Sequence, residues 1–224
     1  MNFVVIEGLD GSGKSTQIKL LKDYLVKNNV EYKFIHFPRT DAPVYGELIA
    51  RFLRGELGSI NSVDPYLVAL LYAGDRNEAK IQIREWIDAG YFVLLDRYVI
   101  SNIAFQCAKL NNIREREKLK KWILELEYTH NHLPVPDLNL FLDVPFDFTR
   151  KQLTTNRKGD DRIYLEGRDD IHEADLEFQK KVRDVYLSLE QSEKNYHILR
   201  CYNDDLDILT PDLIIGEIIK RIKL

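Results

Sequence analysis

The chain has 224 residues, of which 45% are apolar and 30% charged, and a formal net charge of −4. That length supports one core of ordinary domain size, and the acidic balance excludes a general nucleic-acid binder, which needs a basic excess against phosphates. Cys107 and Cys201 fit neither a metal-ligand spacing nor a disulfide framework, the N-terminus lacks the regions of a signal peptide, and no long apolar run occurs, so a reducing, cytoplasmic location without a membrane partner is expected.

Short apolar runs alternate with longer stretches of helical periodicity, the pattern of an α/β fold with a parallel sheet flanked by helices. The first expected strand, Phe3–Ile6, runs directly into Gly8-Leu9-Asp10-Gly11-Ser12-Gly13-Lys14-Ser15-Thr16. This satisfies G-x-x-x-x-G-K-[ST], with the strand before it and the helix after it that the motif requires. Glycines let backbone N–H groups converge on phosphate oxygens, and the following helix points its positive end at the same place. Gly8, Gly11, Ser12, Gly13, Lys14, Ser15 and Thr16 are therefore assigned to a nucleoside triphosphate, with Lys14 reaching the β- and γ-phosphates and the Ser15 hydroxyl ligating Mg²⁺. The acceptor does not follow from this loop, because P-loop proteins include GTPases, motors and small-molecule kinases. No N-K-x-D guanine-reading motif is present, and the length disfavours a motor.

Ile18, Leu21, Tyr24 and Leu25 recur at helical spacing, and a second strand is expected at Tyr32–Phe37, ending in Phe37-Pro38-Arg39. An arginine at the carboxyl edge of a parallel strand overlooks the ligand crevice, where it can grip phosphate through two parallel hydrogen bonds; read alone it is equally a surface arginine. Within Leu71-Tyr72-Ala73-Gly74-Asp75-Arg76, Tyr72 and Arg76 are four apart and share a helical face. A ring there can stack on a pyrimidine while the guanidinium donates to a carbonyl oxygen. The third strand, Phe92–Leu95, is followed by Asp96-Arg97-Tyr98-Val99-Ile100-Ser101-Asn102-Ile103-Ala104-Phe105-Gln106, and Leu119, Trp122, Ile123 and Leu126 mark another amphipathic helix.

After a fourth strand at Leu138–Val144, residues 150–172 are dense in charge, with Arg150, Arg157 and Arg162 among the cations. A solvated loop is one reading. A short lid is the other, since phosphoryl transfer develops charge that delivered arginines offset, worth about 10³ to 10⁵ in rate for arginine fingers. A helix carrying Phe178, Val182 and Tyr186, a fifth strand at His197–Cys201, and a last helix from Pro211 with Ile215, Ile218, Ile219 and Ile222 on one stripe complete the chain. Five strands make one doubly wound parallel sheet in a single domain spanning residues 1–224.

With these motifs in place, the sequence resembles thymidylate kinases of the P-loop nucleoside-monophosphate kinase class over essentially its whole length. Phe37-Pro38-Arg39 matches that family's FPR or FPxR, Leu71 to Arg76 its LFAxDR, and Asp96 to Phe105 its DR[YH]xxSxxAY. The resemblance implies transfer of phosphate from ATP to dTMP with Mg²⁺ in a homodimer. It places Arg39 and Arg97 on the dTMP phosphate, Asp10 on its 3′-hydroxyl, and Tyr72, where the family usually has Phe, on the base. It puts Arg76 on thymine O4, Ser101 or Asn102 facing the pyrimidine, and Phe105 under the sugar so as to exclude a 2′-hydroxyl. Asp96 and, through water, Glu173 would act on Mg²⁺. Gly11 in place of a basic loop residue implies the variant with lid arginines, Arg157 and Arg162, and Arg150 as an adenine-side or phosphate contact. His172 departs from the family's usual tyrosine, leaving its role open. Alternatives at this point are a kinase for another pyrimidine monophosphate or a deoxynucleoside, and a non-catalytic nucleotide-gated regulator.

Overall fold

The computed structural model describes residues 2–154 and 160–223. Its strands are β1 (Phe3–Glu7), β2 (Tyr32–His36), β3 (Phe92–Asp96), β4 (Leu138–Asp143) and β5 (Tyr196–Arg200). They form one sheet in the order β2-β3-β1-β4-β5, every pair parallel. All five lie within one or two residues of the runs expected from the sequence. Continuous burial of FVVIE, FVLLD and LNLFLD explains why they read as unbroken apolar runs, as strands covered on both faces must.

The intervening helices are α1 (Lys14–Lys27), α2 (Tyr45–Leu53), α3 (Pro65–Asp88), α4 (Val99–Cys107), α5 (Ile113–Leu124), α6 (Phe146–Thr154), α7 (Ile171–Ala174), α8 (Leu176–Ser188) and α9 (Pro211–Ile222). Asp64, Asn112 and Asp175 cap α3, α5 and α8 by accepting from Tyr66 N, Arg114 N and Phe178 N, satisfying donors with no intrahelical partner. Side-chain alternation along the strands divides the core. Val4, Ile6, Leu94 and Leu140 point to the face covered by α1 and α9, where Ile18, Leu21, Ile215 and Ile218 are buried. Phe3, Val5, Val93, Leu95 and Phe141 point to the other face, against α3, α4, α5 and α8. Each such fully buried aliphatic or aromatic side chain contributes about 1.5–3 kcal/mol. Cys107 and Cys201 are buried, unpaired thiols, and no described helix is long and apolar enough to cross a membrane.

One element departs from regular periodicity. Helix α5 runs on into a π-helical turn, Glu125–His130. The Leu119 and Ile123 stripe would continue at Leu126 or Glu127; the wide turn leaves Leu126 half-buried and drives Glu127 fully into the interior.

β1 lies at the centre of the sheet, flanked by β3 on one side and β4 on the other, so the order reverses beside its carboxyl end. The crevice opens there. On its rim α2 approaches the Arg39 turn closely: a Cβ on Gly46 would stand 2.2 Å from the Arg39 carbonyl oxygen, whereas one on Gly216, inside α9, meets nothing within 4 Å. The same substitution is therefore expected to act in opposite directions. Gly46→Ala should destabilise by about 1–3 kcal/mol through overpacking, while Gly216→Ala should stabilise by about 0.5–1 kcal/mol through backbone entropy, as urea denaturation will show. A neutral Gly46→Ala would contradict the close approach.

Candidate active site

A cleft of about 1400 Å³ opens above the carboxyl ends of the central strands. Its floor is the loop between β1 and α1. Gly11 and Gly13 have φ of 75° and 83°, the left-handed region that a side chain resists, and these turns bring the loop round to α1, whose first residue is Lys14. Residues 10–16 all line the cleft, whereas Gly8, also nominated from the sequence, does not. Lys14 is buried, which lowers its ammonium pKa, and its Nζ lies 3.9 Å from Asp96 Oδ1.

Asp96 ends β3. His36 Nδ1 is 3.0 Å from its Oδ2, and Oδ1 is buried without a hydrogen-bond partner. Burial pushes this carboxyl up, but Lys14 and His36 outweigh it and hold its pKa at about 2. An ionised carboxylate with one oxygen free of hydrogen bonds, lining the same cleft as Ser15, suits a hydrated Mg²⁺ carried in on phosphates. Such an ion needs no cage of protein carboxylates, and no cluster of three His, Cys, Asp or Glu ligands occurs among the described residues. Glu173 also lines the cleft.

Arg97 follows with φ 66°, a left-handed conformation uncommon for a residue with a side chain. Its Nη2 donates to Asp10 Oδ1 at 2.8 Å, and Nη1 lies 3.2 Å from Ser101 Oγ and 3.4 Å from Tyr186 Oη. Asp10 also accepts from Gln179 Nε2 at 3.1 Å. Burial would raise the Asp10 carboxyl, yet Arg97 and Lys14 hold it far below the usual carboxylate range. Beneath this pair sits Glu7, fully buried, accepting from Ser101 Oγ at 2.5 Å, Tyr186 Oη at 3.0 Å and Tyr98 N at 3.0 Å. Burial raises its pKa above the ordinary 4.5.

Arg39 reaches the rim already committed. It donates from its backbone N and from Nε to the Asp75 carboxylate at 2.9 and 2.8 Å, and from Nη2 to the Asp75 carbonyl at 2.8 Å. Tyr72 lines the wall, backed by Ile49, Phe52, Leu53 and Val68. Phe105 packs under Arg97, whose Cζ is 5.0 Å from the ring centroid, and beside His172 at 5.1 Å. His172, whose role the sequence left open, is itself buried among Phe52, Phe105 and Phe178. Arg76, Ser101 and Asn102 complete the wall.

Of the residues nominated from the sequence, Arg150 is not brought to the cleft; it is half-exposed and paired with Asp147 at 3.0 Å. Arg157 lies outside the described residues, and for Arg162 only the backbone is described, in a 3₁₀ turn at Asp160–Leu165. Sequence reasoning passed over four residues that organise the site: His36, Asp75, Glu127 and Gln179. Glu127 had a visible signal, a carboxylate four residues beyond Ile123 on a buried stripe; Asp75 stood inside a quoted motif without a role.

A glycine-rich loop at the switch point of a parallel sheet, with an arginine pair facing it across one cleft, defines a P-loop phosphotransferase with room for a second phosphorylated ligand. A family model described as thymidylate kinase matches residues 6–208. A thymidylate kinase from Plasmodium falciparum is 33% identical over 82% of this chain and 75% of its own, and a probable thymidylate kinase from Pyrobaculum aerophilum is 33% identical over 99% and 98%. A solved thymidylate kinase structure from Candida albicans superposes with a TM-score of 0.70 and 28% identity, covering 98% of this chain and 91% of that one. The chain belongs to the thymidylate kinase family, whose reaction is the phosphorylation of dTMP to dTDP.

The buried Glu7 generates a pH signature. Because its folded pKa is raised, the folded state retains a proton that the unfolded state has lost as pH climbs above 4.5, so stability falls with rising pH until the folded pKa is passed. Glu7→Gln lacks this titration. Its melting temperature relative to the unaltered protein should rise as pH increases from 4.5, and a difference independent of pH would show that Glu7 titrates normally.

Proposed function

We propose that the cleft performs ATP + dTMP → ADP + dTDP with the loop from Gly8 to Thr16 on the donor and the Arg39, Tyr72, Arg97 and Phe105 wall on the acceptor. The observation that supports this most directly is that the two ends share one cavity, with Arg97 standing between them and hydrogen-bonded to the loop residue Asp10. An acceptor phosphate oxygen attacks the γ-phosphorus in line as the bond to the bridging oxygen of ADP breaks. The acceptor is already an anion, so no general base is required, and positioning and charge neutralisation carry the rate.

In this assignment Lys14 contacts the β- and γ-phosphates. Arg97, with Arg39 behind it, grips the dTMP phosphate. Asp10, kept ionised by Arg97 and Lys14, accepts from the 3′-hydroxyl. Tyr72 stacks on the base, Arg76, Ser101 and Asn102 face its edge, and Phe105 fills the space beneath the sugar, where a 2′-hydroxyl would find no partner. Mg²⁺, when bound, neutralises charge on the β- and γ-oxygens; Ser15 and Asp96 are the residues placed to hold it, with Glu173 acting through water. Arg157 and Arg162, on the segment between α6 and α7, are assigned to the charge that develops on the moving phosphoryl group. The exposed stripe of Leu67, Leu70 and Ile81 on α3 is the face assigned to a second copy in a homodimer.

ADP formation should be measured with ATP, Mg²⁺ and each of dTMP, dUMP, UMP, dCMP, AMP and thymidine. The expected result is a clear preference for dTMP, with Arg97→Ala lowering kcat/KM for dTMP by about 10² or more and Lys14→Ala lowering kcat by about 10² to 10³. Preference for thymidine would instead place a nucleoside in the acceptor end, and an Arg97→Ala protein of normal KM and kcat would remove that arginine from the phosphate.

A further inference from the structure

Glu127 carries no catalytic or binding role in the reaction described above, yet, like Glu7, it is a carboxylate beside the cleft with no exposure at all. It comes from the π-helical turn and meets two cleft-lining side chains at once. Its Oε2 accepts from Arg76 Nε at 2.5 Å, and its Oε1 accepts from Arg76 Nη2 at 2.7 Å and from Asn102 Nδ2 at 2.9 Å. Asn102 Nδ2 also donates to the Ala69 carbonyl at 3.0 Å. Both amide protons of Asn102 are thereby spent on protein acceptors. The orientation of an asparagine amide is otherwise ambiguous; here it is fixed, because turning it over would set its oxygen against two other oxygens. Asn102 Oδ1 is left buried with no hydrogen-bond donor, a condition that needs an explanation in a native structure.

We infer that Glu127 is a positioning residue that sets the hydrogen-bond polarity of the base-reading wall: it forces Asn102 to present an acceptor and Arg76 to present, through Nη1, a donor. That order complements a ring carrying N–H beside C=O, as thymine and uracil do at N3 and O4, and it opposes cytosine, whose N3 is an acceptor beside an amino donor. A base N3–H would also satisfy the orphaned Oδ1. The inference rests on the acceptor-end assignment proposed above and adds how one buried carboxylate determines it. A site arranged to pair with a polar edge rejects the reversed edge strongly, because the wall's own groups would be left facing like partners.

The test compares kcat/KM for dTMP, dUMP and dCMP in the unaltered enzyme and in Glu127→Gln, which keeps the shape but offers one acceptor in place of two. The dTMP-to-dCMP ratio should fall by about 10-fold or more, the size of a lost charge-assisted hydrogen bond. The dTMP-to-dUMP ratio should change by less than about 2-fold, since those bases share the same N3–H and O4 and a reversed polarity affects them alike. A merely structural role would depress all three substrates together, and equal losses, with the dTMP-to-dCMP ratio unmoved, would overturn the inference. A second readout needs no variant: the Asn102 side-chain amide protons, observed by NMR in the ligand-free protein, should exchange slowly with solvent. Fast exchange there would mean that Glu127 does not hold them. If the unaltered enzyme fails to prefer dTMP over dCMP, it is the acceptor assignment that fails, and the NMR result then judges the Glu127 geometry separately.

Discussion

The site is organised around the placement of one guanidinium. Arg97 leaves β3 in a left-handed backbone conformation and is fixed from three directions, by Asp10 of the phosphate loop, Ser101 of α4 and Tyr186 of α8. The φ of 66° costs of order 1 kcal/mol for a residue with a side chain. It persists because the helices and the loop converge on the same head group. That convergence makes the loop, α4 and α8 parts of one rigid wall, although they come from distant parts of the chain.

Enclosing so much charge is expensive unless each group is answered. The protein answers in chains rather than in isolated pairs. Glu7 backs Ser101 and Tyr186, which back Arg97, which holds Asp10, which also takes Gln179. Asp75 locks Arg39, and Glu127 locks Arg76. Every arginine facing the acceptor end is thus presented by a carboxylate behind it. Orienting the cations before the ligand arrives removes their reorganisation from the binding step, which is the physical meaning of preorganisation. The same carboxylates reduce the net positive potential offered to an incoming phosphate, so the site favours geometry over raw charge.

The fold was legible because parallel strands covered on both faces must be continuous apolar runs, and the segments FVVIE, FVLLD and LNLFLD could not be anything else at that length. The phosphate loop was legible because close backbone approach to phosphate restricts the residue types. What stayed hidden were partners separated widely in sequence. His36 behind Asp96, Asp75 behind Arg39 and Gln179 behind Asp10 are ordinary polar residues with no periodic or compositional mark, and only the topology brings them to one edge of the sheet. The Arg150 assignment shows the converse: a charge-dense run reads as a lid from its composition, yet this arginine has its carboxylate three residues earlier on its own helix.

Glu127 shows why helical periodicity alone is an incomplete guide at a site. The Leu119 and Ile123 stripe leads on to Leu126 or Glu127, and apolarity alone would choose Leu126 as the next core position. Widening that turn by one residue swings a carboxylate into a place with no water to solvate it, a loss that only the fork of Arg76 and the amide of Asn102 offset. Such π turns surrender regular hydrogen bonding in the backbone, so they survive where the redirected side chain does something a helix cannot. Here the redirected side chain reaches two residues of the base-facing wall from behind, without occupying any of the space that a nucleotide needs.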